Sequence, residues 1–115
     1  MKKECRLDFG SFILEAELFY TKIAAEIHRE MPYAVALYSY GQEYYGEIPV
    51  EIPDENPQDE IPPGGLAYTS RGNFFCIFYG GTPAWPVDYI GRIKGDGWKK
   101  LQESPILRNV IISAV

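Results

Sequence analysis

Apolar and polar residues alternate at 12–18. Phe12, Leu14, Ala16 and Leu18 share one face, with Glu15 and Glu17 on the other. Period two predicts a half-buried strand. The period then changes: Ile23, Ala24, Ile27 and Met31 recur at helical spacing behind Thr21, a residue suited to an N-cap. This predicts a helix through about Glu30, stopped by Pro32. Residues 34–40, rich in Val, Leu and Tyr, predict a second strand, and Gly41-Gln42 a two-residue hairpin turn. Residues 43–52 alternate again. Tyr44, Gly46, Ile48, Val50 and Ile52 face one way, and Glu43, Tyr45, Glu47, Pro49 and Glu51 the other. Pro49 cannot donate a ladder hydrogen bond, which predicts an edge or bulged strand.

Residues 53–63 carry four acids, four prolines and no period, and read as a long acidic surface loop. Strands are predicted at 66–70 and 74–79, around an Arg71-Gly72-Asn73 turn. The second is apolar on both faces, so both need cover: the barrel interior on one side and a helix on the other. A loop with Pro83, Trp85 and Pro86 follows at 80–88, then a strand at 89–93. A short helix from Asp96 or Gly97 carries Trp98 and Leu101, and a strand at 110–114 closes the chain. Seven or eight strands joined by short turns predict a mainly β fold. The expected architecture is a small closed barrel of about eight mostly antiparallel strands, capped by two helices. There is no internal repeat, and 115 residues suit one domain over 1–115.

A hydrophobic content of 46% argues against disorder. The net charge of −5 is local, because Glu51, Asp54, Glu55, Asp59 and Glu60 carry it and the remaining acids balance the bases. Without a Lys/Arg cluster, no nucleic-acid partner is expected. The longest apolar stretch, 74–79, is too short to span a bilayer, and Glu4, Arg6 and Asp8 interrupt any leader-like run, so no membrane partner is expected either. Cys5 and Cys76 form no CxxC pattern and fit reduced thiols in a cytoplasmic protein.

Little in the chain points to catalysis. Glu43 and Glu47 share a strand face but lie roughly 13 Å apart at ~3.3 Å per residue, beyond the ~5–9.5 Å of glycosidase pairs. Glu47 reads as solvated, and Glu43, beside the hairpin turn, is the better candidate. The lone histidine, His28, has no partners at metal-ligand spacing and lies on a helix. Gly91, Gly95 and Gly97 match no phosphate loop. No catalytic residue, metal or cofactor is therefore assigned. The aromatic set Tyr40, Tyr45, Tyr68, Phe78, Tyr79 and Trp85 reads mostly as core, with some members lining the barrel mouth. Arg71 and Thr82 are the polar groups placed beside it, and Arg71 reads equally well as a solvated turn residue.

Several fragments, in order, resemble cyclophilins. They are Tyr20-Thr21-Lys22-Ile23-Ala24-Ala25-Glu26-Ile27, Gly65-Leu66-Ala67-Tyr68, Gly72-Asn73-Phe74-Phe75-Cys76-Ile77, and Tyr89-Ile90-Gly91-Arg92-Ile93 leading into Trp98-Lys99-Lys100-Leu101. The closer resemblance is to the small uncharacterised cyclophilin-like proteins of bacteria and archaea. It rests on Tyr40-Gly41-Gln42-Glu43-Tyr44-Tyr45, on Gly64 to Tyr68, and on Cys76-Ile77-Phe78-Tyr79-Gly80-Gly81-Thr82-Pro83. It runs from about Ile13 to Val115 and implies the cyclophilin barrel. The departures bear on activity. Prolyl-isomerase cyclophilins carry a Phe-His-Arg stretch whose Arg is the catalytic donor. This chain has no Arg between Arg29 and Arg71, and its only His is His28.

The resemblance and the residues together imply a cleft edged by Tyr40, Glu43, Tyr68, Arg71, Phe75, Thr82 and Trp85. It would bind a small molecule or peptide without prolyl isomerisation. One alternative is a divergent prolyl isomerase built around Phe75 with Arg71 as donor. Another is an interaction module that engages a partner by strand addition along 43–52, although charge and Pro49 there look protective. The sequence sets no oligomeric state.

Overall fold

A computed structural model describes residues 3–115. In chain order the elements are β1 (Lys3–Asp8), β2 (Ile13–Leu18), α1 (Lys22–Arg29), β3 (Tyr33–Ala36), β4 (Tyr38–Ser39), β5 (Glu43–Glu47) and β6 (Pro57–Gln58). β7 (Gly65–Thr69), β8 (Phe74–Phe78), β9 (Val87–Ile93), α2 (Lys99–Glu103) and β10 (Asn109–Ala114) complete the chain. The strands form one antiparallel sheet in the order β3-β10-β1-β2-β9-β7-β8-β5-β4, with β6 added on β9.

The sheet curls into a near-closed barrel because its two ends belong to one stretch of chain. β3 pairs with β10, and β4, just past Leu37, pairs with β5. Gly46 permits the approach of β3 to β5, since a Cβ there would overlap the Ala36 carbonyl oxygen and Val35 Cγ1. Cys5, Leu7, Leu14, Leu18, Tyr44, Leu66, Tyr68, Phe75, Ile77, Ile90 and Ile112 fill the interior with little or no exposure. α1 adds Ile23, Ala24 and Ile27 to this core, and α2 adds Leu101.

The start of α1 follows the sequence. Thr21 Oγ1 accepts from Ala24 N at 3.0 Å, as an N-cap does. The Glu55 carboxylate accepts from Ile23 N at 3.3 Å and from Lys22 N at 3.4 Å, satisfying donors that every helix start leaves open. The acidic segment is therefore pinned down. Its backbone is held in turn by the buried Asp88, whose carboxylate accepts from Asn56 N at 2.6 Å and Glu55 N at 3.2 Å.

Several expectations are corrected. Residues 43–52 are not one edge strand: β5 ends at Glu47, before Pro49, and lies between β4 and β8 with both ladders used. β4 thus already occupies that edge at Tyr44 and Tyr45. Residues 34–40 divide into β3 and β4 at Leu37, whose N–H bonds Arg108 O at 2.8 Å. β1 and β6 were not anticipated. The outer face of β8 is covered by no helix but by a second apolar cluster of Ile61, Ala67, Cys76, Phe78 and Val87, against which Tyr45, Phe74, Trp85 and Tyr89 pack.

Candidate functional site

This outer cluster exists because side chains alternate along β5, β7 and β8. On β8, Phe75 and Ile77 point into the barrel, and Phe74, Cys76 and Phe78 belong to the outside. On β5, Tyr44 belongs to the interior and Tyr45 to the outside. Register then brings the outer residues together: Tyr45 lies opposite Cys76, Glu43 opposite Phe78, and Thr69 opposite Phe74.

The cluster is not packed shut. Glu43, Tyr45, Thr69, Phe74, Cys76 and Val87 floor a cavity of about 220 Å3, which Tyr40, Pro83, Ala84 and Trp85 wall. Three features hold the walls. The Gly41-Gln42 turn that follows Tyr40 supplies Gln42 O, which accepts from Tyr79 N at 3.0 Å and Gly81 N at 3.1 Å and so anchors the loop leading to Pro83. Gly80 is at φ 138°, and a Cβ there would run into the Gln42 side chain. Further along, Trp85 Nε1 donates to Thr69 Oγ1 at 2.9 Å, fixing the indole over the sheet. The Arg71 guanidinium lies 4.3 Å from the centre of the Trp85 ring, a cation–π contact that braces the wall. Tyr45 meets Phe74 edge to face, with ring centres 5.0 Å apart.

The electrostatics centre on Glu43, which is only 7% exposed. Burial pushes its carboxyl up from 4.5 to about 7, opposed by a hydrogen bond from the Cys76 thiol. Burial, together with Glu43, drives the Cys76 thiol well above its usual range, so Cys76 is no thiolate nucleophile. A carboxyl that changes charge near neutral pH inside an apolar cavity is equipped to select ligands by charge. Among the described residues no group of three or more His, Cys, Asp or Glu could hold a metal ion.

Of the residues expected at the cleft, the cavity gathers Tyr40, Glu43 and Trp85, with Arg71 on the indole at its border. Tyr68 and Phe75 lie elsewhere. They pair in register and are enclosed in the barrel, where the Tyr68 hydroxyl is 3.0 Å from Asn73 Oδ1. Thr82 is exposed and does not line the cavity. Tyr45, Thr69, Phe74, Cys76, Pro83, Ala84 and Val87 were missed as site residues. Strand parity held the signal for most of them: Tyr45 shares a face with Glu43, and Phe74 and Cys76 lie on the β8 face away from Phe75.

A cyclophilin-like family profile matches residues 3–113, nearly the whole chain. The chain belongs to the cyclophilin-like family. Among solved structures, this cyclophilin-like barrel is similar to the hypothetical protein AF2241 from Archaeoglobus fulgidus. The identity is 24% and the TM-score 0.80, over 99% of this chain and 95% of that one. It is also similar to McbB, solved in complex with tryptophan, at 16% identity and a TM-score of 0.75. That match covers 96% of this chain and 44% of McbB. At these identities the likeness establishes the fold alone. No curated protein matches the cyclophilin-like chain. No helix among the described residues is long and apolar enough to cross a membrane.

Proposed function

We propose that this protein binds a small, flat, largely apolar molecule in the outer-face cavity and does not isomerise proline. The observation that carries the reading is the combination of aromatic walls with one buried carboxyl, Glu43. Small-molecule sites combine these two things: apolar area for affinity and a few placed polar groups for orientation. The hydrogen-bonded indole and the anchored loop are preorganised, which lowers the ordering cost of binding. McbB, whose matched 44% shares this barrel, was solved in complex with tryptophan, which makes aromatic molecules the first probes to try. A divergent prolyl isomerase would need an accessible Phe75, and this ring is enclosed in the barrel core.

The test is a fragment screen read by the indole N–H resonance of Trp85, with Trp98 as internal control. Aromatic fragments are expected to shift Trp85 and leave Trp98 unmoved, and Trp85→Ala, followed through the Val87 amide in place of the lost indole, should weaken their binding about tenfold or more, the loss of one aromatic contact. A screen that shifts neither indole would overturn the reading. Acceleration of a proline-peptide assay above the uncatalysed rate would replace it with the isomerase.

A further inference from the structure

Among the described residues, Glu43 is the only carboxylate that lines the cavity, and no Lys, Arg or His lines it. The Cys76 thiol, a weak donor, is the polar group that opposes the effect of burial on Glu43. The other titratable groups facing the cavity are Tyr40 from the β4–β5 turn, Tyr45 on the same strand, and Cys76 on β8. None of them carries positive charge. The nearby cation, Arg71, is engaged on the Trp85 ring. A buried carboxylate without a cation is costly, and whatever supplies one recovers part of that cost. The walls point the same way, because the faces of Tyr, Phe and Trp rings carry negative charge density that attracts cations.

Resting on the pocket reading above, we propose that the cavity selects a cationic aromatic amine. Its ammonium pairs with Glu43, and its ring lies among Tyr45, Phe74 and Trp85. An anion of the same shape would meet a second negative charge and aromatic faces that repel it. A neutral isostere would fill the apolar volume and leave Glu43 protonated. An ammonium instead stabilises the ionised carboxylate, so the amine binds with release of the Glu43 proton to solvent near neutral pH, and no other bond changes. Affinity for the amine therefore rises with pH over the range in which Glu43 titrates, while the ammonium itself stays charged.

Three probes of one shape test this: 2-phenylethylamine, propylbenzene and 3-phenylpropionate. Titrations follow the Trp85 indole resonance at pH 5.5 and pH 8. The amine is expected to bind tighter at pH 8 by about tenfold or more, since Glu43 is mostly neutral at the lower pH. Propylbenzene, which leaves Glu43 protonated, should bind no tighter at pH 8 than at pH 5.5, and the carboxylate should bind weakest. Glu43→Gln, close in shape to the wild type, should remove both the pH dependence and the preference for the amine. The wild-type pH profile serves as a test even if that variant folds poorly. Equal affinity for amine and hydrocarbon, or an amine affinity independent of pH, would overturn the amine proposal and leave the pocket reading standing. Failure of all three probes to move Trp85 at millimolar concentration would overturn both.

Discussion

The barrel interior and the outer cluster are built from the same strands and answer their polar groups differently. Inside, Tyr68 is fully enclosed, yet its hydroxyl accepts from Ile52 N at 3.2 Å and meets Asn73 Oδ1 at 3.0 Å. The chain itself completes that network. Outside, Glu43 is nearly as enclosed, the Cys76 thiol is the group that opposes its burial, and it lines a cavity that Trp85 walls. The interior is packed to satisfaction, whereas the outer face ends in an unfilled volume with one charge to answer. In this fold the unfilled volume beside Glu43 lies on the solvent side of the wall.

Large-to-small substitution separates the two regions most sharply. Phe75→Ala empties the interior and is expected to destabilise the protein by about 3–5 kcal/mol in urea unfolding. A loss below about 1 kcal/mol would mean that Phe75 is not a core residue. The second effect belongs to the outer face and depends on pH. The Glu43 carboxyl titrates at about 7 in the folded protein, raised by burial from 4.5. The folded state therefore holds a proton that the unfolded chain releases between those values. Stability contributed by the neutral group is present below pH 4.5 and lost as pH climbs through 7. The loss is on the order of 3 kcal/mol, at up to about 1.4 kcal/mol per pH unit. Glu43→Gln should flatten this, making the variant more stable than wild type at pH 8 and close to it at pH 5. A wild-type-to-variant difference that stays constant from pH 5 to pH 8 would show that burial does not govern Glu43. The smallest effect concerns Arg71. Its contact with the exposed side of the Trp85 wall is worth about 0.5–1 kcal/mol, so Arg71→Ala should move the melting temperature by only a few degrees. Its clearer signature is altered Trp85 fluorescence.

Local patterns made some of this legible in the sequence. Thr21 ahead of Ile23, Ala24 and Ile27 marked α1, and the Gly41-Gln42 turn marked the hairpin that carries Tyr40 and Glu43. The doubly apolar run around Phe74 and Phe75 announced a strand with two covered faces. What covers the outer face was not legible, because the loop's hydrogen bonds to Gln42 and Thr69 are long-range and leave no period. β1 escaped notice because only Cys5 and Leu7 alternate with charges there, and β6 because Pro57 and Gln58 owe their strand pairing to β9. At the site, aromatic residues were chosen by type. Tyr68 and Phe75 share one parity and Tyr45, Phe74 and Cys76 the other, and only the register shows which parity faces out.

The stretch from Tyr33 to Ser39 makes the barrel a hoop with one seam. One half of that stretch is stitched to β10 and the other to β5, with the changeover at Leu37. Every other junction around the hoop is a direct strand-to-strand ladder, so slack concentrates at the seam. Breathing of the barrel should begin there, and its amide protons should be among the first in the sheet to exchange with solvent. Tyr40 sits one residue beyond the seam, in the cavity wall. A ligand that grips Tyr40 would tighten the hoop from outside, and slowed exchange at Leu37 would report a filled pocket without any probe placed in the pocket itself.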